Sequence, residues 1–255
     1  MKNFTLSFLV LILSSFYAPA KLTFYEMRIY RLADDNDEKR MDQYLQGALI
    51  PALHRKGIES VGVFKTLLSD TLHPHLLYVL IPHKSMEQFE KVNASLSDDP
   101  QYQKDGSDYI NAEYSDPSYL RMETIIMKAF KLSPELQKPS LTGARKDRIY
   151  ELRSYEGATE KLYQKKVHMF NEGNEIALFK RLNFNAVFYA EVLVGSHMPN
   201  LMYMTTFENK AERDLHWDTF RNDPEWKVLS AKPEYQHTVS KNDTLFLYPT
   251  DYSDY

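Results

Sequence analysis

Cysteine is absent from the 255 residues of the chain. That excludes disulfides, a thiol nucleophile, Cys-ligated zinc, iron–sulfur clusters and thiolate-bound haem. Glycine is scarce, with 8 residues, about 3% where globular proteins average about 7%. No two glycines lie closer than Gly57 and Gly62, so a GxGxxG loop cannot form. A P-loop would need Lys and Ser or Thr after Gly62, and Val63-Phe64 stand there instead. The usual nucleotide-phosphate cradles are therefore missing. An excess of positive charge is lacking too: 31 basic against 35 acidic side chains give a net charge of −4. With no basic block, nucleic acid is not the expected partner. No histidine is followed by glutamate, so HExxH is absent, and there is no Gly-x-Ser-x-Gly elbow. His73-Pro74-His75 lacks a third ligand and reads as an exposed turn, so neither a metal nor a cofactor is expected.

Long hydrophobic runs are also few. The one that stands out, Phe4 to Phe16, follows Lys2 and ends in Tyr17-Ala18-Pro19-Ala20. This is the layout of a secretory signal peptide with a small-residue cleavage site. The run is shorter than the ~20 apolar residues a spanning helix needs. Residues 1–20 are thus expected to be a cleaved address, leaving an exported protein, periplasmic or secreted, without a membrane anchor.

What the sequence does contain is a copy of itself. Tyr25-Glu26-Met27-Arg28-Ile29-Tyr30 returns as Tyr150-Glu151-Leu152-Arg153-Ser154-Tyr155, a shift of 125 residues. The same shift carries Leu53 to Leu178, Pro74 to Pro199, Leu76 to Leu201 and Tyr78 to Tyr203, and sets Val63 beside Phe188. With one residue deleted, Asp99-Pro100-Gln101-Tyr102 falls on Asp223-Pro224-Glu225-Trp226. A constant offset over two units marks a tandem duplication: residues 21–130, a linker at 131–147, and residues 148–255.

Each unit reads in the same order. Phe24 to Tyr30 alternates as a strand. Asp37 to Lys56 carries Met41, Tyr44, Leu45, Ala48, Leu49, Ala52 and Leu53 at helical spacing. Pro51 is expected to kink that helix without ending it, because the residue four back is Gly47. Gly57 closes it. Two strands, 58–67 and 75–81, and a helix from Ser85 to Leu96 follow, with Ser85 and Gln88 spaced as a capping box. Residues 121–130 supply a last strand. Asp99-Pro100 and Asp223-Pro224 read as helix terminators, and 101–119 as a polar loop. The order βαββαβ is that of a ferredoxin-like unit.

Strand 75–81 is apolar on both faces, with Leu77, Val79 and Ile81 on one side and Leu76, Tyr78 and Leu80 on the other. A sheet with helices on one face must then cover its other face, and the second copy is available to do it. Tyr-Glu-x-Arg-x-Tyr opening such a unit, with Asp-Pro-x-aromatic behind its second helix, resembles the NIPSNAP family. The resemblance implies an α+β fold in which two ferredoxin-like βαββαβ repeats pair sheet to sheet as a pseudo-dimeric α+β barrel around a central cavity. It links animal relatives to vesicle traffic and mitophagy as adaptors, and relates other branches of the superfamily to small oxygenases and isomerases.

Alternation puts Glu26, Arg28 and Tyr30 on one strand face and Tyr25, Met27 and Ile29 on the other. The apolar set suits the helices, so the polar set is expected in the barrel, repeated by Glu151, Arg153 and Tyr155 and joined by Tyr78 and Tyr203. Arg offers a fork for an anion, Tyr a hydrogen bond or proton, and Glu a base. The reading is an exported protein binding a small anionic or aromatic molecule in the barrel cavity. Alternatives are a cofactor-free oxygenase or isomerase, and a non-catalytic interaction scaffold in which the Glu–Arg pairs only neutralise each other. Whether the protein is an enzyme, and whether it forms a homo-oligomer, the residues alone do not decide.

Overall fold

The computed structural model describes residues 22–67 and 75–255. The expected signal peptide, His73 and Pro74 lie outside the described residues. The first repeat runs β1 (Phe24–Arg31), α1 (Asp35–Tyr44), a π-helical turn (Leu45–Leu49), α2 (Ile50–Arg55), β2 (Gly62–Thr66), β3 (Leu76–His83), α3 (Met86–Leu96), α4 (Pro100–Asp105), α5 (Ser107–Ile110) and β4 (Arg121–Ala129). The second runs β5 (Ile149–Glu156), α6 (Glu160–Phe170), α7 (Glu175–Arg181), β6 (Asn185–Val194), β7 (Asn200–Phe207), α8 (Lys210–Asn222), α9 (Pro224–Ser230) and β8 (Lys241–Pro249).

Local chemistry accounts for the element ends. The Asp34 carboxylate accepts the amides of Asn36 and Asp37 at the start of α1, satisfying donors that have no partner inside the helix. Pro51 is absorbed as expected: the chain widens by one π-helical turn before it, and the Ile50 amide reaches back to the Leu45 carbonyl. Gly57 ends the run at φ +79°, where a side chain would be strained. Ser85 caps α3 by accepting the Gln88 amide at 3.1 Å. The Gln88 side chain returns to the Lys84 amide, not to Ser85, so only half of the expected box is made. Asp99 and Asp223 do follow the ends of α3 and α8, as expected, and each also starts a further helix. Each carboxylate accepts two amides of the short helix after it, whose first residue is Pro100 or Pro224. Pro is pre-shaped for that position. The expected loop at 101–119 accordingly contains helix.

The strands close an antiparallel eight-stranded barrel in the order β1-β3-β2-β8-β5-β7-β6-β4. Each repeat supplies four neighbouring strands, and the seams are β2–β8 and β4–β6. The sheets thus face each other and also join at their edges. Inside, Tyr25, Met27, Phe64, Tyr150, Phe188 and Leu247 from both repeats form one apolar cluster, each at most 1% exposed. Outside, the helices of each repeat bury a second and a third cluster on their own half of the sheet.

That arrangement reverses one expectation. Tyr25 and Met27 point into the barrel, whereas Glu26, Arg28, Tyr30, Glu151, Arg153, Tyr155 and Tyr203 lie on the helix side. Of the eight expected interior residues only Tyr78 is inside. The barrel axis is sealed by both sheets and takes the apolar set. The charged set needs hydrogen-bonding partners, and the helices provide them. Tyr78 and Tyr203 part company because the hairpins differ in length. Arg28 is opposite Val79 and Arg153 is opposite Tyr203, so the true match there is a shift of 124. A one-residue slip in a strand exchanges its faces. For the same reason Val63 corresponds to Tyr189, not to Phe188.

Candidate functional site

Among the described residues, the middle of the barrel axis is filled by side chains. Its lining residues pack ring to ring, Tyr25 against Phe188 at 5.2 Å and Phe64 against Tyr150 at 4.9 Å. At nearly zero exposure they leave no surface that even water touches. The polar groups gather instead between sheet and helices, and the two repeats treat them differently.

In the second repeat Glu151 is saturated. Its Oε1 accepts from Arg153 Nε at 2.6 Å and Arg213 Nη2 at 2.8 Å; its Oε2 accepts from Arg213 Nε and Trp217 Nε1, both at 2.7 Å. Burial pushes the carboxyl pKa up, but the Arg213 hydrogen bond and the two guanidinium charges outweigh it and hold it below the usual range. Arg153 lies 3.9 Å over the Trp217 ring and donates to the Tyr155 hydroxyl, which shares a 2.8 Å hydrogen bond with Tyr203. Burial pushes Tyr203 well above an ordinary phenol, so it stays protonated. Beside this network Lys166 and Glu175 form a buried ion pair at 2.8 Å.

The first repeat keeps the glutamate and changes its surroundings. The strand and helix positions of Phe207, Arg213 and Trp217 are held by His83, Phe89 and Asn93. Glu26 Oε1 accepts from Arg28 Nε at 2.6 Å, and Arg28 Nη2 donates to Asn93 Oδ1 at 2.7 Å. Glu26 Oε2 lies 3.0 Å from His83 Nε2. Burial raises the Glu26 pKa; the His83 hydrogen bond and the Arg28 charge outweigh that and keep it below the usual range. An ionised carboxylate only accepts, so Nε2 carries the proton. His83 Nδ1 is buried and has no hydrogen-bond partner among the described residues. His83, Thr23, Ser60 and Gln88, with Ile58, Pro82 and Leu136 as apolar wall, line a cavity of about 300 Å³.

Tyr30 stands farther along the same face. Its buried hydroxyl approaches Arg28 and Tyr109 without a hydrogen bond of normal geometry to either. A tyrosine group surrounds it: Tyr44 stacks on Tyr109 at 3.6 Å and shares a 2.8 Å hydrogen bond with Tyr102. Tyr102 and Tyr109 belong to the segment expected as loop. The signal for the burial of Tyr102 is the Asp-Pro pair that starts α4.

His83, Asn93, Arg213 and Trp217 were not among the expected site residues. Residues shared by the two copies stand out in the sequence, and these four differ between them. His75, on the expected exposed turn, is joined by Asp35 and Glu38, whose ligand atoms lie within 4.8 Å of one another. Asp35 is largely solvent-exposed and Glu38 is bonded to Lys65, which makes this a surface charge cluster.

Residues 150–254 match the sequence profile of the NIPSNAP family. The second repeat is similar to a NIPSNAP domain. No curated protein matches the chain. Among solved structures, a candidate monooxygenase from Lactobacillus acidophilus superposes with a TM-score of 0.58 at 10% identity, covering 89% of this chain and 94% of that one. Another candidate monooxygenase, from Fusobacterium nucleatum, gives 0.54 at 7% identity over 89% and 92%. At these identities the likeness is one of fold. A NIPSNAP-like domain protein from Burkholderia xenovorans is 20% identical over 42% of this chain and 89% of its own, with a TM-score of 0.37. The profile covers the repeat whose glutamate is saturated; the repeat with His83 lies outside it.

Proposed function

We propose that the protein binds a small molecule in the cavity at the Thr23–His83 end of the first repeat's sheet, lined by that repeat and by Leu136 of the linker, and not in the filled middle of the barrel axis. The observation that carries this reading is the cavity beside His83, a buried polar group next to open space, set against an axis filled with side chains. Mixed apolar and hydrogen-bonding walls of this size suit a small amphipathic ligand. The monooxygenase naming of the fold neighbours makes a cofactor-free oxygenase the catalytic form of the same reading. Export belongs to it on the Met1–Ala20 pattern alone; amino-terminal sequencing of the mature protein should then begin at Lys21.

Native mass spectrometry of protein from its own host tests the reading. A bound small molecule should be lost from Gln88→Trp, which fills the cavity, and kept by Phe188→Ala, which opens the axis. The reverse pattern would return the ligand to the barrel and sink the proposal.

A second reading, the interaction scaffold, is favoured by a different feature. Met122, Val194 and Met198 are between 44% and 59% exposed at one end of the β4–β6 seam, where Ile126 faces Val194 and Ser196 bonds Glu123. Apolar side chains gathered there suit a contact with another chain. Concentration-dependent sedimentation that disappears in Met122→Lys and Val194→Lys would support it.

A further inference from the structure

We propose that the second repeat holds a small organic carboxylate in a cavity under the linker, its charge met by Lys180. The cavity measures about 500 Å³ and shares no lining residue with the one at His83, so this site goes beyond the one proposed above. Its apolar wall includes Phe184 and Tyr189, each 3% exposed, and the half-buried Ile176. Among the described residues that line it, the charged ones are Lys138 and Lys180. Both lysines are exposed, and neither forms an ion pair or a side-chain hydrogen bond among the described residues. Two unmatched cations beside an aromatic wall suit an anion with an apolar body.

The first repeat supplies an internal precedent for a carboxylate at this place. In each repeat a residue in the left-handed region follows a helix, Gly57 at φ +79° after α2 and Asn183 at φ +58° after α7. Their amides bond the carbonyls of His54 and Lys180, so Lys180 stands where His54 does. The chain after β8 then runs along β2, and the linker after β4 runs along β6. The Thr250 and Asp254 amides bond the Val63 and Val61 carbonyls, and the Phe130 and Gln137 amides bond those of Tyr189 and Val187. Gln137 thus occupies the place of Asp254. Asp254 Oδ2 lies 2.9 Å from His54 Nε2 and accepts the Val61 amide at 2.7 Å. Gln137 brings no charge, and its side-chain nitrogen turns to the Glu135 carbonyl at 3.2 Å. Lys180 is left without the carboxylate that its counterpart has. Between its two anchoring bonds the linker runs from 130 to 137, where the tail runs from 250 to 254, so the linker carries three extra residues. Leu132, Ser133 and Pro134 lie in that longer path and line the cavity.

The probes are 2-naphthoate and its neutral amide, 2-naphthamide, measured by equilibrium dialysis against the full-length protein. The acid should bind roughly tenfold more tightly than the amide at low salt, and the gap should narrow as salt screens the exposed ammonium. Lys180→Met should bring the acid down to the affinity of the amide and leave the amide unchanged. Gln137→Asp gives the second repeat the carboxylate that the first already has, and should remove the preference by occupying Lys180 from within the chain. Both residues are exposed, so thermal melts of the two variants should match the parent. Gln88→Trp, which fills the first-repeat cavity, should leave naphthoate binding unchanged. Equal affinities for acid and amide, or a preference that survives either Lys180→Met or Gln137→Asp, would overturn the proposal. Loss of naphthoate from Gln88→Trp would place the acid in the first-repeat cavity and overturn it as well. Failure of both probes to bind would show that the space under the linker is not a site.

Discussion

Glu26 and Glu151 occupy matching places in the two repeats, yet they depend on their arginines to different degrees. Glu151 receives four hydrogen bonds, two of them from Arg213. Removing Arg153 leaves its charge compensated. Glu26 has Arg28 and His83 alone, and both partners of the Glu26–Arg28 pair are at most 10% exposed on their side chains. Breaking a buried pair strands a charge, at about 3–5 kcal/mol. Losing the hydrogen bonds to Glu151 and Tyr155 and a ring stack costs about 2–3 kcal/mol. Arg28→Met should therefore lower the urea midpoint clearly more than Arg153→Met. Equal losses would mean that the repeats use their ion pairs alike, and the asymmetry drawn between them would fail. The pH dependence follows from the same carboxylates. Both are held below the ordinary glutamate value of 4.5, so their stabilisation is present above it and is lost as pH falls through the folded values. Glu175, raised by burial against the pull of Lys166, runs the opposite way: its contribution is present below 4.5 and lost as pH rises through its folded value. Acid denaturation should begin below pH 4.5, and Glu151→Gln should flatten that limb of the stability curve while lowering the plateau.

At the scale of elements, two glycines of the first helix give a test with opposite signs. Gly57 sits at φ +79° with no atom near the place of a Cβ, so Gly57→Ala meets only backbone strain, about 1 kcal/mol destabilising. Gly47 lies inside the π-helical turn, is exposed, and also has open space around it. Gly47→Ala should stabilise by roughly 0.5–1 kcal/mol through lost freedom of the unfolded chain. Thermal melts of the two variants should move in opposite directions from the parent. The ends of this helix were readable because glycine and proline act locally. The βαββαβ order was readable from period alone, as was the need of the sheet to be covered twice. Which face of β1 looks into the barrel was not. Alternation separates Glu26 from Tyr25 and says nothing about which side will be dry, and that is settled only when eight strands close. Nor was the register of Tyr203, since one residue fewer before β7 is invisible in a chain that still aligns at Leu76 and Leu201. Asp99-Pro100 was legible only in part: the pair that stops one helix also starts the next, and α4 shows itself only in the packing of Tyr102.

At the scale of the whole molecule, the two seams are of one kind. In both, the edge strand that ends one repeat joins the edge strand of the other repeat's hairpin, as β8 with β2 and β4 with β6. Separated from its partner, residues 148–255 would leave two strand edges unpaired. It would also uncover the inward side chains of Tyr150, Leu152, Phe188, Met204 and Leu247, all now at most 1% exposed. Fully burying such a side chain contributes about 1.5–3 kcal/mol each, a loss comparable with the ~5–15 kcal/mol that holds a domain folded. A monomeric half is thus not expected to fold. A second copy of the same half, however, offers the same complementary edges, because β8 of one copy can lie beside β6 of the other, twice over, and close an eight-stranded barrel with true twofold symmetry. The half-chain should consequently sediment as a dimer with native-like circular dichroism, and lose both together on dilution. A folded, monomeric 148–255 would show that the inner face does not need its partner. The barrel would then be two domains in contact, and the first repeat, His83 with it, could be studied alone.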